Sequence, residues 1–304
     1  MSTSAGLVAP PLHRSPLLLV LSTHLVVALV ALVTVGGATR VMEAGLSCPD
    51  WPLCYGSVLP TAKMTVRVFL EWFHRLDAAL VALGLLLAAA LSWGQRRHLP
   101  PAAPGLATTA LVLVVVQVAL GALTVTQLLR FDVVTAHLAT GLLLVALLSL
   151  LRQRLRLALE PLPPGMDGAL TGPWRWWPAL AALLVYLQCV LGGLLASHWA
   201  TGRCLQWLQG CHWLMAHRLL AGVALAAVVA LPLKAATAAW PHPLRHLSFA
   251  AGLLVLLQAG LGALTLHLSL SQPLVTIGHQ LVAALLLSML TSLAGLLHPL
   301  PSSP

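Results

Sequence analysis

Eight long apolar runs constrain this chain more than any other feature of its sequence. They cover residues 17–37, 67–93, 105–128, 132–152, 178–197, 212–234, 244–268 and 273–297. A hydrocarbon core about 30 Å thick is crossed by about 20 helical residues. The runs lack the alternation of barrel strands, and only 8% of the residues are charged, fewer than a water-soluble domain carries. The sequence therefore predicts an all-α integral membrane protein with eight transmembrane helices.

Basic side chains are distributed unevenly between the connections, and this distribution predicts the topology. Nine lie at the start of the chain or in alternate connections: Arg14, Arg96, Arg97, Arg152, Arg154, Arg156, Arg175, Lys234 and Arg245. Five lie in the opposite connections: Arg40, Lys63, Arg67, Arg130 and Arg203. Because cytoplasmic connections are richer in Lys and Arg, we expect a multi-pass protein of the plasma (inner) membrane with both termini in the cytoplasm. The net charge of +9 then reports topology, and we expect no nucleic-acid partner.

Four of the five cysteines fall in connections that this topology places on the outer side. Cys48 and Cys54 lie in "LSCPDWPLCYG", and Cys204 and Cys211 lie in "GRCLQWLQGC". Because the outer side is oxidising, the pattern favours two short-loop disulfides, Cys48 with Cys54 and Cys204 with Cys211. Free thiols are the alternative.

The chain contains an internal duplication. "QVALGALTV" at 117–125 matches "QAGLGALTL" at 258–266, and the double glycine Gly36–Gly37 returns as Gly192–Gly193. Each copy has an even number of helices, so both copies cross the membrane in the same direction. This is a parallel repeat related by an axis along the membrane normal, and it predicts two pseudo-symmetric four-helix bundles.

The boundary between the copies is a stretch that breaks the apolar pattern. It is basic at first and then rich in Pro and Gly, a composition typical of a linker. We therefore divide the chain into an N-terminal four-helix half at 1–155, a cytoplasmic linker at 156–177 and a C-terminal four-helix half at 178–304.

Four histidines occupy equivalent places in the even-numbered runs: His74, His137, His217 and His279. Each lies a few residues inside its run, which places all four about 8–12 Å below the outer boundary at ~1.5 Å per residue. One buried histidine is more often a hydrogen-bonding core residue than a ligand. Four at one depth, in two repeat-related pairs, favour a metal or heme site instead.

Heme fits these histidines better than zinc or copper. Those ions would recruit cysteine or carboxylate ligands close by, whereas the cysteine pairs lie in the loops. Two histidines on facing helices of a bundle are an arrangement for axial ligation of heme iron. We expect nearby glycines to leave space for the flat macrocycle, with close helix packing as the alternative: Gly36, Gly37, Gly121, Gly192, Gly193 and Gly262. No Cys-x-x-Cys-His is present, so a heme would be held non-covalently.

Charged residues beside the histidines differ between the copies. Arg75 and Arg218 follow His74 and His217 directly and are candidates for binding heme propionates; Asp77 or lipid headgroups are alternative partners.

Glu71 lies three residues before His74 and on the same helix face. The equivalent residue of the second copy is Leu214. Glu71 is therefore a candidate acid or base for chemistry in the first half, and the alternative is an ion pair with Arg67 or Arg75. One carboxylate in a duplicated site suggests one catalytic heme and one heme for electron transfer.

The sequence also resembles a known family. "GGATRVMEAGLSCPDWPLCYGSVLP" at 36–60 and "EWFHRLDA" at 71–78 closely resemble the heme A synthases, and the eight-helix layout with four histidines extends this resemblance over the whole chain. It implies an oxidoreductase that converts heme O into heme A by oxidising the methyl group on ring D to a formyl group, with oxygen derived from water.

The resemblance also implies roles for individual residues. His74 and His137, with Glu71 beside them, would form the substrate heme site, and His217 and His279 would ligate heme b in the C-terminal half. Cys48 and Cys54 would be the cysteine pair of the outer loop.

The resemblance implies partners as well, and two other functions remain open. Heme O and membrane lipid are expected ligands, the electron acceptor is not identified, and heme O synthase or cytochrome oxidase assembly factors are partners at the level of the family. A diheme electron-transfer or heme-handling protein without chemistry of its own would also need four histidines. A transporter would also show a parallel repeat, but no pair of broken helices is visible at mid-membrane.

Overall fold

Eight long helices form the part of the chain that the computed structural model describes, residues 16–160, 172–196, 212–238 and 240–298. We number them α1 to α8: Pro16–Val41, Val66–Gly94, Ala102–Thr126, Phe131–Leu159, Trp177–Leu195, His212–Thr237, His242–His267 and Pro273–Leu297. All eight are long and apolar enough to cross a membrane. Within the described ranges there is no strand, only one isolated bridge between Cys54 and Ser57. The predicted all-α membrane fold is confirmed.

The first helix is longer than its apolar run predicts. The run ends at residue 37, whereas α1 continues through Gly36 and Gly37 to Val41. Both glycines lie at contacts with other helices, Gly36 with His74 of α2 and Gly37 with Gln280 of α8, and small residues allow such close approach. Arg40 therefore belongs to the last turn of α1, which corrects its assignment to an outer connection.

Each half forms a closed ring of four helices. α1 packs against α2 and α4, and α3 also packs against α2 and α4. In the same way, α5 and α7 each pack against α6 and α8. The halves meet where α4 packs on α8, with further contacts of α1 on α8 and of α4 on α5. The contacts thus repeat from one half to the other, while the axis that would relate the halves, and the division at 155 and 178, stay predictions.

The turn that leads into the last helix of each half has the same unusual backbone. Leu128 and Leu129 have φ of 52° and 58°, and the equivalent Ser269 and Leu270 have φ of 51° and 59°. Residues other than glycine rarely adopt this left-handed conformation. In each turn the second of the two residues donates its N–H to a threonine carbonyl of the preceding helix, at 2.8 Å in the first half and 3.0 Å in the second. The duplication therefore extends to the local backbone that positions His137 and His279.

The interface between the halves is largely apolar but contains polar contacts, and Arg154 of α4 donates a hydrogen bond to the carbonyl oxygen of His298 after α8. Leu148 of α4 and Leu290 of α8 are fully buried, and the hydroxyls of Ser149 and Ser288 are 2.8 Å apart in a hydrogen bond. Helices in lipid associate through close packing and such polar pairs, because the surrounding hydrocarbon is as apolar as the interface. The packing of α4 on α8 therefore supports His137 and His279, which lie near the N-terminal ends of these helices.

Candidate functional site

His74 of α2 and His137 of α4 face each other inside the first half. Their ring centroids are 6.5 Å apart, and the ring planes make an angle of 79°. Bonds between imidazole nitrogen and a metal ion are about 2 Å long, so two imidazoles on opposite sides of one ion have centroids roughly 6 Å apart. In the second half, His217 lies close enough to His279 for an electrostatic interaction. The structure thus brings the four predicted histidines together as two pairs.

Each of the four imidazoles packs on a glycine of a neighbouring helix. A Cβ atom added to that glycine would meet the Cε1 atom of the ring at 2.9 Å for Gly36 and His74, 3.5 Å for Gly121 and His137, 3.1 Å for Gly192 and His217, and 2.9 Å for Gly262 and His279. Real Cβ atoms essentially never approach within 3.0 Å of another heavy atom. These contacts favour close packing, the alternative for these glycines, and the space for a macrocycle stays a prediction.

The other two glycines of the predicted set lie between the halves. A side chain at Gly37 would overlap Gln280 of α8, and one at Gly193 would lie 2.9 Å from Leu138 of α4. Gln280 and Leu138 each follow one of the four histidines directly. These glycines therefore allow close contact between the halves, which corrects the expectation that they make space for a macrocycle.

Polar groups of the odd-numbered helices hold several of the rings. Nδ1 of His279 lies 3.1 Å from the carbonyl oxygen of Gln258, and the side-chain amide of Gln188 lies 3.0 Å from Nδ1 of His217. The amide of Gln188 also lies 3.2 Å from Nε2 of His217, and the amide of Gln258 lies 3.4 Å from Nε2 of His279. These contacts orient the two rings, and a metal ion bound at Nε2 would replace the amide there. Nδ1 of His74 and of His137 is buried without a hydrogen bond of ordinary geometry to the described chain.

The donor set of each half suits heme. Among the described residues, no three His, Cys, Asp or Glu side chains come together as a metal cluster, whereas a zinc ion usually takes three or four protein ligands. A heme brings its own four equatorial nitrogens and needs only axial ligands from the protein. Two facing imidazoles 6.5 Å apart by their centroids therefore fit this group.

Glu71 is buried one helical turn outside His74 and has two firm partners. Its side chain belongs to a residue that is only 4% exposed. Oε2 accepts a hydrogen bond from the backbone N–H of Cys48 at 2.8 Å, and Oε1 accepts one from Nη2 of Arg75 at 2.5 Å. Of the two ion pairs that the sequence suggests for Glu71, the structure shows the one with Arg75. The carboxylate thereby links the histidine layer to the first outer loop, residues 42–65.

Arg75 makes most of its contacts with the first outer loop. Nη1 donates to the carbonyl oxygens of Asp50 at 2.6 Å and Leu53 at 2.5 Å, and Nη2 lies 3.4 Å from the carbonyl oxygen of Cys48. Both terminal nitrogens of Arg75 are therefore engaged within the protein. By contrast, Arg218 is exposed, and no residue of the described chain pairs with it. The predicted contacts of these two arginines with heme propionates stay predictions.

The first outer loop is held in place by a disulfide and by its own hydrogen bonds. Cys48 and Cys54 form the predicted disulfide, with an S–S distance of 1.98 Å. The carboxylate of Asp50 accepts hydrogen bonds from the N–H groups of Gly56 and Tyr55, which hold the pKa of the Asp50 carboxyl below its usual range. Nε1 of Trp72 donates to the carbonyl oxygen of Val58 at 2.7 Å. The second predicted disulfide, Cys204 with Cys211, lies outside the described residues.

Arg40 of α1 is a partly buried arginine whose environment the sequence does not reveal. Its Nη2 atom is buried and has no hydrogen-bond partner within the described ranges. A signal was present, because Arg40 follows Gly36 by four residues in "GGATR" and so shares its helix face. Because the apolar run ends at Gly37, the sequence predicts that the helix ends there, and Arg40 is then not expected on the same helix face as Gly36.

Comparisons with known proteins show the family to which the chain belongs. Residues 18–291 match the COX15-CtaA family model, described as "Cytochrome oxidase assembly protein". A protein named heme A synthase from Shewanella oneidensis is 34% identical over 190 residues, which cover 57% of this chain and 54% of that protein. The heme A synthase of Geobacillus thermodenitrificans is 27% identical over 253 residues, 79% of each chain. The protoheme IX farnesyltransferase of Haloarcula marismortui is 35% identical over 111 residues, 36% of this chain and 23% of that protein.

Proposed function

Because the chain belongs to the family described as Cytochrome oxidase assembly protein, we propose that it is a heme A synthase, a membrane oxidoreductase that converts heme O into heme A. One arrangement above all supports this proposal. The imidazoles of His74 and His137 face each other in the first half, His217 and His279 lie close together in the second, and His74 has a buried carboxylate, Glu71, one turn away on its own helix. In the second half, Leu214 takes the place of Glu71. The asymmetry favours chemistry in the first half.

The proposed reaction oxidises the methyl group on ring D of heme O to a formyl group. One methyl group and one water molecule give one formyl group, four protons and four electrons. The heme iron of the substrate, bound through His74 and His137, would supply the redox chemistry. The protein must therefore hold the substrate, accept protons near the methyl group and release electrons to an acceptor outside the chain.

Glu71 is the proposed proton acceptor. Its carboxylate lies one turn outside His74, and burial separates it from bulk water. The N–H group of Cys48 fixes Oε2, while Arg75 fixes Oε1. Fixed partners hold a general base in position for the transfer and keep its geometry reproducible between turnovers. A proton received at Oε1 would weaken the pairing with Arg75 and could leave toward the first outer loop.

His217 and His279 are the proposed ligands of a resident heme b in the C-terminal half. The amide of Gln188 lies beside Nδ1 of His217 and the carbonyl oxygen of Gln258 beside Nδ1 of His279, and these groups would orient the two rings that hold the heme. Arg218, exposed on α6 next to His217, is the proposed partner of a propionate of that heme. A second heme would give electrons a route away from the first half.

The proposed location is the plasma membrane, with both termini in the cytoplasm and both heme sites toward the outer face. The uneven distribution of basic residues supports this orientation. Heme O synthase and cytochrome oxidase assembly factors are the proposed partners. The similarity to a protein named for farnesylating protoheme IX supports a connection with heme O supply.

Expression in cells that make heme O but no heme A tests the proposal. Extraction of the hemes, followed by chromatography, should show heme A with the unaltered chain and none with Glu71→Ala or His74→Ala. If the intact, heme-loaded chain forms no heme A, the proposal is refuted in favour of a diheme electron-transfer or heme-handling protein.

A further inference from the structure

Arg40 is partly buried in the first half and forms no ion pair with a described carboxylate. Nη2 of its guanidinium is buried, and no described acceptor lies within hydrogen-bond distance. A buried cation within a membrane protein is costly unless it is paired. A guanidinium in this state is therefore a site for an anion that the protein chain itself does not provide.

Helix geometry directs Arg40 toward the histidine layer. Leu32, Gly36 and Arg40 recur every four residues and so share one face of α1. Gly36 on this face contacts the ring of His74, and the carbonyl group of Leu32 lies beside the same ring. Long side chains in a helix lean toward its N-terminus. The side chain of Arg40 therefore extends back from the outer end of α1 toward the level of His74.

The acidic side chains of the described chain are not paired with Arg40. Four carboxylates form ion pairs with other arginines: Glu43 with Arg67, Glu71 with Arg75, Asp132 with Arg130, and Glu160 with Arg156. Asp50 binds backbone N–H groups of its own loop, and Asp77 lies on α2 beyond His74 on the cytoplasmic side. Among the described residues, no carboxylate serves as the anion for Arg40, which leaves a ligand as its source.

We infer that Arg40 binds a propionate carboxylate of the heme held between His74 and His137. This inference rests on the proposed function and deepens it, because it assigns the recognition of the substrate's acidic edge to α1. Arg75 is the less suitable arginine, since both of its terminal nitrogens already bind Glu71 and loop carbonyls. A guanidinium and a carboxylate form charge-assisted hydrogen bonds, the strong class of such bonds.

Among its described residues, the second half has no arginine at the position equivalent to Arg40. The residue equivalent to Arg40 is Ala196, at the same distance after Gly192 as Arg40 after Gly36. Arg40 therefore distinguishes the two sites, and its removal should affect the heme of the first half alone.

Heme binding by the full-length purified protein, with its C-terminal heme retained, tests the role of Arg40. Heme O and its dimethyl ester, in which both carboxylates are blocked, are titrated separately into the unaltered chain, Arg40→Gln and Arg40→Lys, and binding is followed by the absorption spectrum. The control is Arg67→Gln, because Arg67 is a largely exposed arginine of the same half that pairs with Glu43 at 3.7 Å. The heme O titration measures affinity, and the ester titration measures the share of that affinity due to carboxylates.

We expect Arg40→Gln to bind heme O about tenfold to a hundredfold more weakly than the unaltered chain. Its affinity for the dimethyl ester should be unchanged, Arg40→Lys should recover part of the loss, and Arg67→Gln should behave like the unaltered chain. An equal loss for heme O and ester would show a structural role, and no loss for either would show that Arg40 binds another anion; both results overturn the inference. Failure of the proposed function is distinguishable, because binding is measured without heme A formation.

Discussion

The two halves hold their histidines in the same way but surround them with different charges. In both halves each imidazole packs on a glycine of a neighbouring helix, and the turns before α4 and α8 have the same left-handed residues. The charges of the first half have apolar equivalents in the second: Arg40, Glu71 and Asp77 correspond to Ala196, Leu214 and Leu220. The scaffold was thus retained after duplication, while the electrostatic surroundings diverged.

A second difference concerns how firmly the rings are held. Gln188 and Gln258 place side-chain amides beside His217 and His279, whereas the first half has Leu32 at the position of Gln188, and Nδ1 of His74 lacks a hydrogen bond of ordinary geometry to the described chain. Histidine ligands in a fixed orientation suit a heme that remains bound to the protein. Less restrained ligands beside charged groups suit a heme that is bound, altered and released.

The largest expected effect concerns Glu71, the carboxylate of the first half whose equivalent in the second half is Leu214. Glu71→Gln should lower the rate of heme A formation by about a hundredfold or more, because general-base catalysis typically contributes ~10²–10⁴-fold. Glutamine retains an acceptor for the N–H group of Cys48, so the first outer loop should stay closed. The measurement is heme A formed per chain, with bound heme quantified in the same sample.

Arg75→Gln is the matched control for Glu71→Gln. It removes the contacts with the loop carbonyls but keeps the carboxylate. If Arg75→Gln lowers the rate as much as Glu71→Gln does, and with the same loss of loop protection against proteolysis, Glu71 acts through the loop and not as a base.

The glycine contacts predict a smaller effect within the first half. Gly36→Ala should weaken heme binding in the first half about tenfold, because the new Cβ atom at 2.9 Å from Cε1 must displace the His74 ring, and overpacking typically costs ~1–3 kcal/mol. Spectroscopic heme titration measures this loss. Gly121→Ala, with ordinary contact at 3.5 Å, is the control and should bind normally. Equal losses in the two variants would contradict the steric account.

Removal of the loop disulfide should have a moderate effect on stability. Cys48→Ser with Cys54→Ser should destabilise the first outer loop by roughly 2 kcal/mol, the entropic effect of closing so short a loop. The measurement is the rate of limited proteolysis within residues 42–65, with a denaturant series. Unchanged protection would mean that Glu71 and Arg75 hold the loop without the disulfide.

The smallest expected effect is a pH dependence of the same loop. The pKa of Asp50 is lowered in the folded loop by the N–H groups of Gly56 and Tyr55. Its contribution to stability is therefore present above the unfolded value of 3.8 and is lost as pH falls through the lower folded value. Hydrogen exchange of Gly56 should accelerate in this acidic range, and Asp50→Asn should remove the dependence. An unchanged pH profile in that variant would refute the assignment.

Sequence reasoning succeeded where one residue type carries the signal. Four histidines stand out in apolar runs, and the length and repeat of these runs predict their helices, while the resemblance to the heme A synthases implies which two histidines form each pair. Sequence reasoning did not predict the role of residues whose role depends on which side chains are their neighbours in space. Gly36 was expected to face a macrocycle but faces His74. Glu71 had two possible arginine partners, and only the path of the first outer loop brings Arg75 into position. The partly buried state of Arg40 depends in the same way on α1 continuing past its glycines.

The central claim is that the first half binds the substrate heme and the second half holds a resident heme b. The most direct measurement is the identity of the hemes extracted from purified His74→Ala and His217→Ala variants, made in cells that contain heme O. We predict that His74→Ala retains heme b and loses heme O and heme A, whereas His217→Ala loses heme b and still binds heme O. Loss of the same heme from both variants, or the reverse assignment, would contradict the account.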